Sequence, residues 1–473
     1  MSLLPPVPSR DELLARHGDR YKWLVLLVVG VGMIAAVLCT TSFNVAVPTL
    51  GRQFGLGQNQ VQWTITGFMA AMTVAMLPSP WLLDRFGFRR VFLTAVALLA
   101  TGSVAGALST GFGFVVTARI VQGAAAGLLQ PLAMLAVMRL FPPHSQGRAS
   151  GLLSFGIVLA PAVAPSLAGA LLDGFGWEAI FLMNLPFCAV AGVLGLRLLP
   201  RPAELRASRF DWFGVALLAG VALATIEAVA SLGRNGFASA GTLALFAMVA
   251  VCGGLYASHA RRAAAPVVPL DLFRERSFAM GALVSFAYGF GLYASTYVIP
   301  VFLQHAIGFD ATAAGFALLP AGIALVIVIP IAGLLTDRLP PRTLTVAGLA
   351  LFGISFVLFA ALAGRLHYLG IVLVTVLGRV GLGLVIPALN LATLRYLRPE
   401  QLGRSSMVTS YLRQLGGVVG VAVIAVFVEW REAGYGAAPG GVLNAYSEAF
   451  WLLAAAFAFA LVAALRMKPR TEA

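Results

Sequence analysis

The sequence predicts an all-α polytopic membrane protein, and three observations predict it. Of its 473 residues 60% are hydrophobic and only 11% are charged, where soluble domains average about 45–50% apolar and about 25% charged. Mean hydropathy is +0.92, so the chain cannot cover a soluble surface with polar side chains. The basic residues, 32 Lys+Arg against 18 Asp+Glu for a net +14, fall in clusters between long apolar runs. Water-soluble enzymes, disordered chains and fibrous proteins are excluded by these numbers. A transmembrane β-barrel is excluded because its strands would alternate polar and apolar residues.

A spanning helix needs roughly 20 mostly apolar residues. Fourteen runs qualify in order: about 23–48, 61–83, 91–109, 112–138, 149–173, 179–199, 212–232, 238–258, 277–303, 312–335, 343–363, 368–393, 405–428 and 446–466. The first follows a charged stretch, Arg10 to Lys22, and reads as a retained span rather than a cleaved signal. Lys and Arg in short loops stay on the cytoplasmic side. With the N-terminus inside, 25 basic residues lie in cytoplasmic segments and four lie outside: Arg52, Arg234, Arg365 and Arg431. The alternation supports an even number of spans with both termini cytoplasmic. The surplus charge is then a topology signal, and no nucleic-acid partner is expected.

The chain repeats itself. Pro131, Arg139, Pro143, Gly147, Arg148 and Ser150 recur 256 residues later as Pro387, Arg395, Pro399, Gly403, Arg404 and Ser406. Asp84, Arg85 and Arg89 recur 253 residues later as Asp337, Arg338 and Arg342. The expected organisation is a cytoplasmic segment 1–22, an N-terminal six-helix bundle 23–199, a linker with two inserted helices 200–276, a C-terminal six-helix bundle 277–466 and a tail 467–473. Parallel halves around a midplane cavity are a transporter architecture.

Several ordered motifs sharpen this. Leu82-Leu83-Asp84-Arg85-Phe86-Gly87-Phe88-Arg89-Arg90 resembles G-x-L-x-D-R-x-G-R-[RK]-x, with Pro80 at the first Gly and Phe88 at the Arg after the second; Arg119-Ile120-Val121-Gln122-Gly123 fits R-x-x-Q-G. Gly156, Ala160-Pro161 and Pro165 fit G-x-x-x-[GA]-P-x-x-G-P, with Ala164 replacing a Gly. Phe181 to Pro186 matches F-x-x-N-x-P, and Asp211-Trp212-Phe213-Gly214 opens the inserted pair. Pro300, Gln304, Gly308, Ala314-Gly315 and Pro320 follow in spans 9 and 10. Across essentially its whole length the chain resembles the major facilitator superfamily, and within it the fourteen-span drug:proton antiporters of the EmrB/QacA type. The resemblance implies the major facilitator fold, a bacterial inner membrane, and export of hydrophobic or amphiphilic toxic compounds by proton antiport. It further implies small-molecule substrate, protons and the lipid bilayer as partners, and permits a periplasmic adaptor with an outer-membrane channel.

One departure stands in span 1. The pattern D-x-T-x-x-N-V-A-x-P appears as Cys39 to Pro48, with Thr41, Asn44 and Pro48 kept and Cys39 at the acid. A free thiol titrates near pH ~8.5 and does not replace a carboxyl group near neutral pH. Either the coupling acid has moved or the protein departs from cation/proton exchange. Glu227, the one acid deep in a span, is the default proton-coupling candidate.

Arg119, Arg379 and Arg413 fall inside spans, where a charge costs at least a few kcal/mol and normally faces a cavity or a partner. With Asn44, Trp63, Phe68, Gln122, Tyr288, Tyr293, Tyr297 and Asn390 they are candidates for a cavity wall favouring anionic or weakly acidic amphiphiles. The resemblance implies a cytoplasmic gate of Asp84, Arg85, Gly87, Arg89, Arg90 and Arg148, because a carboxylate there can face the positive N-terminal dipole of another helix. It also implies that Gly156, Pro161 and Pro165 bend span 5 against leak. The other reading is a transporter for a metabolite, siderophore, fatty acid or lipid, with a relocated or absent proton site. An intramembrane enzyme is not expected: H-E-x-x-H, G-x-S-x-G and a carboxylate cluster are all missing. No metal or cofactor is expected, and Cys39, Cys188 and Cys252 match no metal or redox spacing.

Overall fold

The computed structural model describes residues 9–201, 209–236, 238–362, 364–365, 367–436 and 438–468. Three sequence candidates, Asn44, Pro161 and Pro165, have side chains outside the described set. Among the described residues all regular structure is helical, as a low-dielectric setting requires of a backbone that must satisfy its own polar groups.

The long helices are α1 Tyr21–Ser42, α2 Trp63–Met76, α3 Ser79–Ala107, α4 Phe112–Leu140, α5 Gln146–Phe175, α6 Leu185–Leu198 and α7 Trp212–Asn235. They continue as α8 Ala240–Ala260, α9 Arg276–His305, α10 Ala311–Arg338, α11 Pro341–Leu362, α12 Tyr368–Leu394, α13 Leu402–Tyr435 and α14 Gly441–Leu465. Twelve helical stretches among the described residues are long and apolar enough to cross a membrane. Of the remaining two, α2 is apolar but has only 14 residues, and α5 has 30 residues that include the undescribed side chains.

Local chemistry explains the helix ends. Ser9 and Glu12 form a capping box that starts a helix at Arg10. Asp211 and Asp310 cap α7 and α10 by accepting from the backbone N–H of Gly214 (2.8 Å) and Ala313 (2.6 Å). Gly87 sits at φ 80° and ψ 160° and breaks α3, so the start of α3 completes the apolar run that α2 begins. Span 1 also differs from expectation. Its α-helix ends at Ser42, a 3-10 stretch carries Phe43–Ala46, and a second helix, Val47–Phe54, begins with Pro48 in its first turn. A proline there has no N–H to leave unpaired. The helix α5, by contrast, runs unbroken through positions 161 and 165, so the expected break of its backbone ladder is not visible as an interruption; neighbouring helices hold proline-bearing spans together.

The buried apolar residues form two large cores. One gathers α1 to α8 with the ends of α12 and α13, including Leu391, Leu394 and Tyr411. The other gathers α9 to α14, with an aromatic stack of Phe302, Phe359, Phe450, Phe352 and Phe457. The inserted α7 bridges both halves of the chain: it packs on α2 and α13, and the Tyr411 hydroxyl donates to Leu218 O at 2.9 Å.

Candidate functional site

A cavity of about 440 Å³ lies between the two halves. Its N-terminal wall is mainly apolar: Met33 and Val37 of α1, Met72 of α2, Met134 of α4, and Leu153, Ile157 and Val158 of α5. Its C-terminal wall is mixed: Leu292, Leu318, Leu325, Val326, Leu382 and Ile386 line it together with Tyr288 and Tyr293 of α9, Arg379 and Asn390 of α12, and Thr409, Ser410, Arg413 and Gln414 of α13, and it carries the cavity's basic groups. Residues of α7 and α8 take no part. Arg379 and Arg413 are the charged groups of the lining, and no carboxylate joins them. Among the described residues neither guanidinium has a hydrogen-bond or ion-pair partner. Close helix packing sets this wall. A side chain at Gly289 would run into the Arg413 carbonyl, and one at Gly417 into the Tyr293 ring, so only glycine lets α9 and α13 approach this closely.

Tyr288, Tyr293, Arg379, Asn390 and Arg413 therefore share one cavity. Other candidates lie elsewhere. Arg119 is 1% exposed and sits behind the N-terminal wall, not on it. Its Nε donates to Thr64 O (3.1 Å), and one terminal nitrogen donates to Cys39 O (2.9 Å) and Gln122 Oε1 (3.0 Å). The guanidinium lies over the rings of Phe68 (4.2 Å) and Phe43 (4.6 Å). Gln122 Nε2 donates to Ser103 Oγ at 2.8 Å, Ser103 Oγ to Asn184 Oδ1 at 2.9 Å, and Asn184 Nδ2 to Cys39 Sγ at 2.7 Å. These contacts with Arg119 are all made by neutral groups, and Arg119 Nη2 has no partner among the described residues. Carbonyl oxygens of neighbouring helices and two aromatic faces draw Arg119 inward and away from the cavity. Phe68 and Gln122 are buried with it.

Trp63 is 53% exposed and Tyr297 41% exposed, and neither lines the cavity. Large aromatic rings on outward helix faces suit a lipid boundary. Glu227 also lies off the cavity: it is half-exposed and pairs with Arg234 at 2.5 Å, two turns along α7.

At the end of the molecule that carries Asp84 and Asp337, the two halves touch. Asp337 of α10 accepts from the backbone N–H of Gly147 (2.6 Å) and Arg148 (2.8 Å) at the start of α5. Ser145 makes no side-chain capping bond there, so Asp337 caps α5 from the other half, with its charge at the positive end of the helix dipole. Backbone contact surrounds this cap. A Cβ on Gly333 would lie 2.7 Å from Gly147 O and 2.7 Å from Gly151 Cα. Nearby, Ser406 Oγ of α13 donates to Pro131 O of α4 at 3.0 Å.

The expected gate is thus placed differently. Asp84 has no hydrogen-bond or ion-pair partner among the described residues, and space lies open around Gly403, the repeat mate of Gly147 at the start of α13, where the repeat would dock Asp84. Arg89 donates to Leu196 O (2.7 Å) and Leu199 O (2.8 Å), closing the C-terminal end of α6 within its own half. Its repeat mate Arg342 does the same for α14 through Leu465 O. Arg85 and Arg90 point outward, Gly87 supplies the helix break, and the Arg148 side chain lies over Trp23 at 5.2 Å. Sequence reasoning missed Asp337 as the engaged acid, although the 253-residue repeat of Asp84 pointed to it. It missed Gln414 and Gly333 as well.

Comparison with known proteins agrees with this architecture. The model of the Major Facilitator Superfamily matches residues 29–421. The chain is 30% identical over 439 residues to the "Multidrug resistance protein B homolog" of Mycobacterium tuberculosis (strain CDC 1551 / Oshkosh), covering 90% of this chain and 81% of that protein. It is 28% identical over 410 residues to the "Methylenomycin A resistance protein" of Streptomyces coelicolor, covering 85% and 84%. Among solved structures, the human organic anion transporter MFSD10 (TETRAN) matches with a TM-score of 0.65 at 16% identity, over 94% of this chain and 99% of that one; this likeness speaks for the fold alone. A helical membrane chain with a cavity between its halves, matched by that model over most of its length, belongs to the major facilitator superfamily.

Proposed function

We propose that this transporter exports amphiphilic toxic compounds by proton antiport, favouring anionic or weakly acidic ones, and that it works by alternating access. The observation that carries this reading is the cavity between the halves. It has an uncharged, mainly apolar wall on one side and, on the other, two arginines that have no partner among the described residues and no carboxylate beside them in the lining. The resistance proteins among its relatives support export as the direction and toxic compounds as the cargo. In this reading the contacts of Asp337 and Gly333 with α5 hold the two halves together at one end, and exchange of the open end completes the cycle.

The membrane arrangement proposed with it has fourteen spans, of the EmrB/QacA type, with α2 and α5 completing the twelve. Both termini are cytoplasmic, the membrane is the bacterial inner one, and the bundles are 23–199 and 277–466. The 25 basic residues in alternate loops support this orientation. The resemblance also implies association with a periplasmic adaptor and outer-membrane channel, which cross-linking in whole membranes tests.

The test of function is paired. A deletion strain is screened against chemically varied toxic compounds, and purified protein in proteoliposomes is assayed for substrate-dependent proton movement. Resistance that depends on the protein, together with proton flux driven by a substrate gradient, is expected. Substrate movement that carries no protons refutes antiport; unchanged sensitivity of the deletion strain refutes export of toxic compounds.

A further inference from the structure

Four hydrogen-bond donors on the C-terminal wall of the cavity lack partners. Tyr288, 2% exposed, has a hydroxyl that bonds to nothing, and Gln414, 3% exposed, has an unpartnered Nε2. Both residues line the cavity, as do the guanidinium groups of Arg379 and Arg413. Tyr288 lies within electrostatic reach of both arginines. A buried donor without a partner costs roughly 1–3 kcal/mol, so the Tyr288 hydroxyl and Gln414 Nε2, set beside two partly buried guanidinium groups, are an expense the fold does not explain. The Gly289 and Gly417 contacts hold α9 against α13 and so fix Tyr288 and Tyr293 opposite Arg413 and Gln414. These groups are fixed before any ligand arrives, which lowers the cost of binding. The wall across the cavity, Met33, Met72, Leu153 and Ile157, offers no competing charge.

We infer that Tyr288, Gln414, Arg379 and Arg413 form an oxyanion subsite that takes the carboxylate head of an amphiphile while its apolar body lies against the N-terminal wall. The inference rests on the export reading and adds to it a head group, four donors and a direction of binding. An oxyanion has lone pairs enough for all four donors. A trimethylammonium head would bring a third positive charge beside two cations and no acceptor for the donors, and an ester would accept without neutralising either arginine. The apolar tail then contacts helices α1, α2 and α5, which belong to the other half, so a bound molecule bridges the two moving parts.

The test uses three matched probes: 4-pentylbenzoate, its methyl ester, and 4-pentylbenzyltrimethylammonium. Binding to full-length protein in nanodiscs and uptake into everted vesicles are measured for each. Wild type is expected to bind the carboxylate about 10-fold or more tightly than the ester. Tyr288→Phe and Gln414→Leu should each weaken the carboxylate by roughly 2- to 10-fold, and Arg379→Gln or Arg413→Gln by about 10-fold or more, with the ester weakened less in every case so that the carboxylate-to-ester ratio falls. Retained ester binding shows that a variant is folded. The subsite is overturned if wild type binds all three probes alike, or if Tyr288→Phe and Gln414→Leu leave the carboxylate-to-ester ratio untouched. Vesicles that move all three probes at similar rates sink the subsite and leave the export reading standing. Wild-type vesicles that move none of them sink both.

Discussion

Replacing Asp337 with Asn should loosen the contact between the halves without unfolding either. Asp337 accepts two backbone bonds from the first turn of α5, at 2.6 and 2.8 Å. Asn keeps one acceptor oxygen but turns an amide NH2 toward the second N–H. The change therefore removes one charge-assisted bond, about 1.5–3 kcal/mol, and a carboxylate at a helix N-terminus, about 0.3–1 kcal/mol. Asp337 is half-buried, so water replaces part of the loss. A net of about 1.5–2.5 kcal/mol against the state closed at this end shifts its population ratio by roughly 10- to 60-fold. The assay is a spin-label distance between Arg197→Cys at the end of α6 and Arg466→Cys at the end of α14, both exposed. Cys252, the partly exposed native thiol, is replaced by Ala; Cys39 and Cys188 are buried. Asp337→Asn should move the distance distribution toward the longer, open population, and Asp84→Asn, which has no partner to lose, should not. Equal distributions in wild type and Asp337→Asn, or a larger effect from Asp84→Asn, would refute the assignment of the latch.

Three further outcomes follow from the same geometry. Gly333→Val puts a branched side chain where even a Cβ would lie 2.7 Å from the backbone of α5; it should expel α10 from the contact at about 1–3 kcal/mol, with export lost while expression and monodispersity persist, and normal transport would show that the glycine contact is dispensable. Gln122→Leu removes an acceptor from Arg119 and a donor to Ser103, so thermal stability in detergent should fall by about 2–3 kcal/mol; an unchanged midpoint would mean the network carries no stability. Glu227→Gln should keep substrate-driven proton flux, because Glu227 pairs with Arg234 away from the cavity; loss of flux with intact substrate binding would restore Glu227 as the proton carrier.

Much of the fold was legible in the sequence because its cause is local. Apolar run length, loop charge and the repeat offsets each report one physical constraint on a membrane chain, and the helices of at least twelve runs answer to it. The repeat also extends to the way helix ends are closed. Arg89 and Arg342 close equivalent helix ends, α6 and α14, so the motif loop builds a local cap in both halves. Its acid behaves differently in each: Asp337 reaches α5, and Asp84 has no hydrogen-bond or ion-pair partner among the described residues. No pattern within one loop can state which of two equivalent contacts is made, since that depends on the relative position of the halves.

The candidate site shows the same boundary at the level of single charges. Arg119, Arg379 and Arg413 look alike in sequence, each a cation among apolar neighbours. What separates them is the company that other helices bring. Arg119 meets two backbone carbonyls, an amide oxygen and two rings from α1, α2 and α4 and the 3-10 stretch after α1, so its charge is used up in holding the N-terminal half together. Arg379 and Arg413 meet open space and two further unpartnered donors, so theirs is left for a ligand. The substitution of Cys39 for an acid bears on the first group rather than the second: its thiol lies in the Arg119 ring of contacts, not on the cavity wall. The proposed preference for anions therefore rests on the arginines of α12 and α13, and Cys39→Asp is expected to leave the carboxylate-to-ester ratio of binding in place; a ratio abolished by that change would tie the preference to span 1 instead.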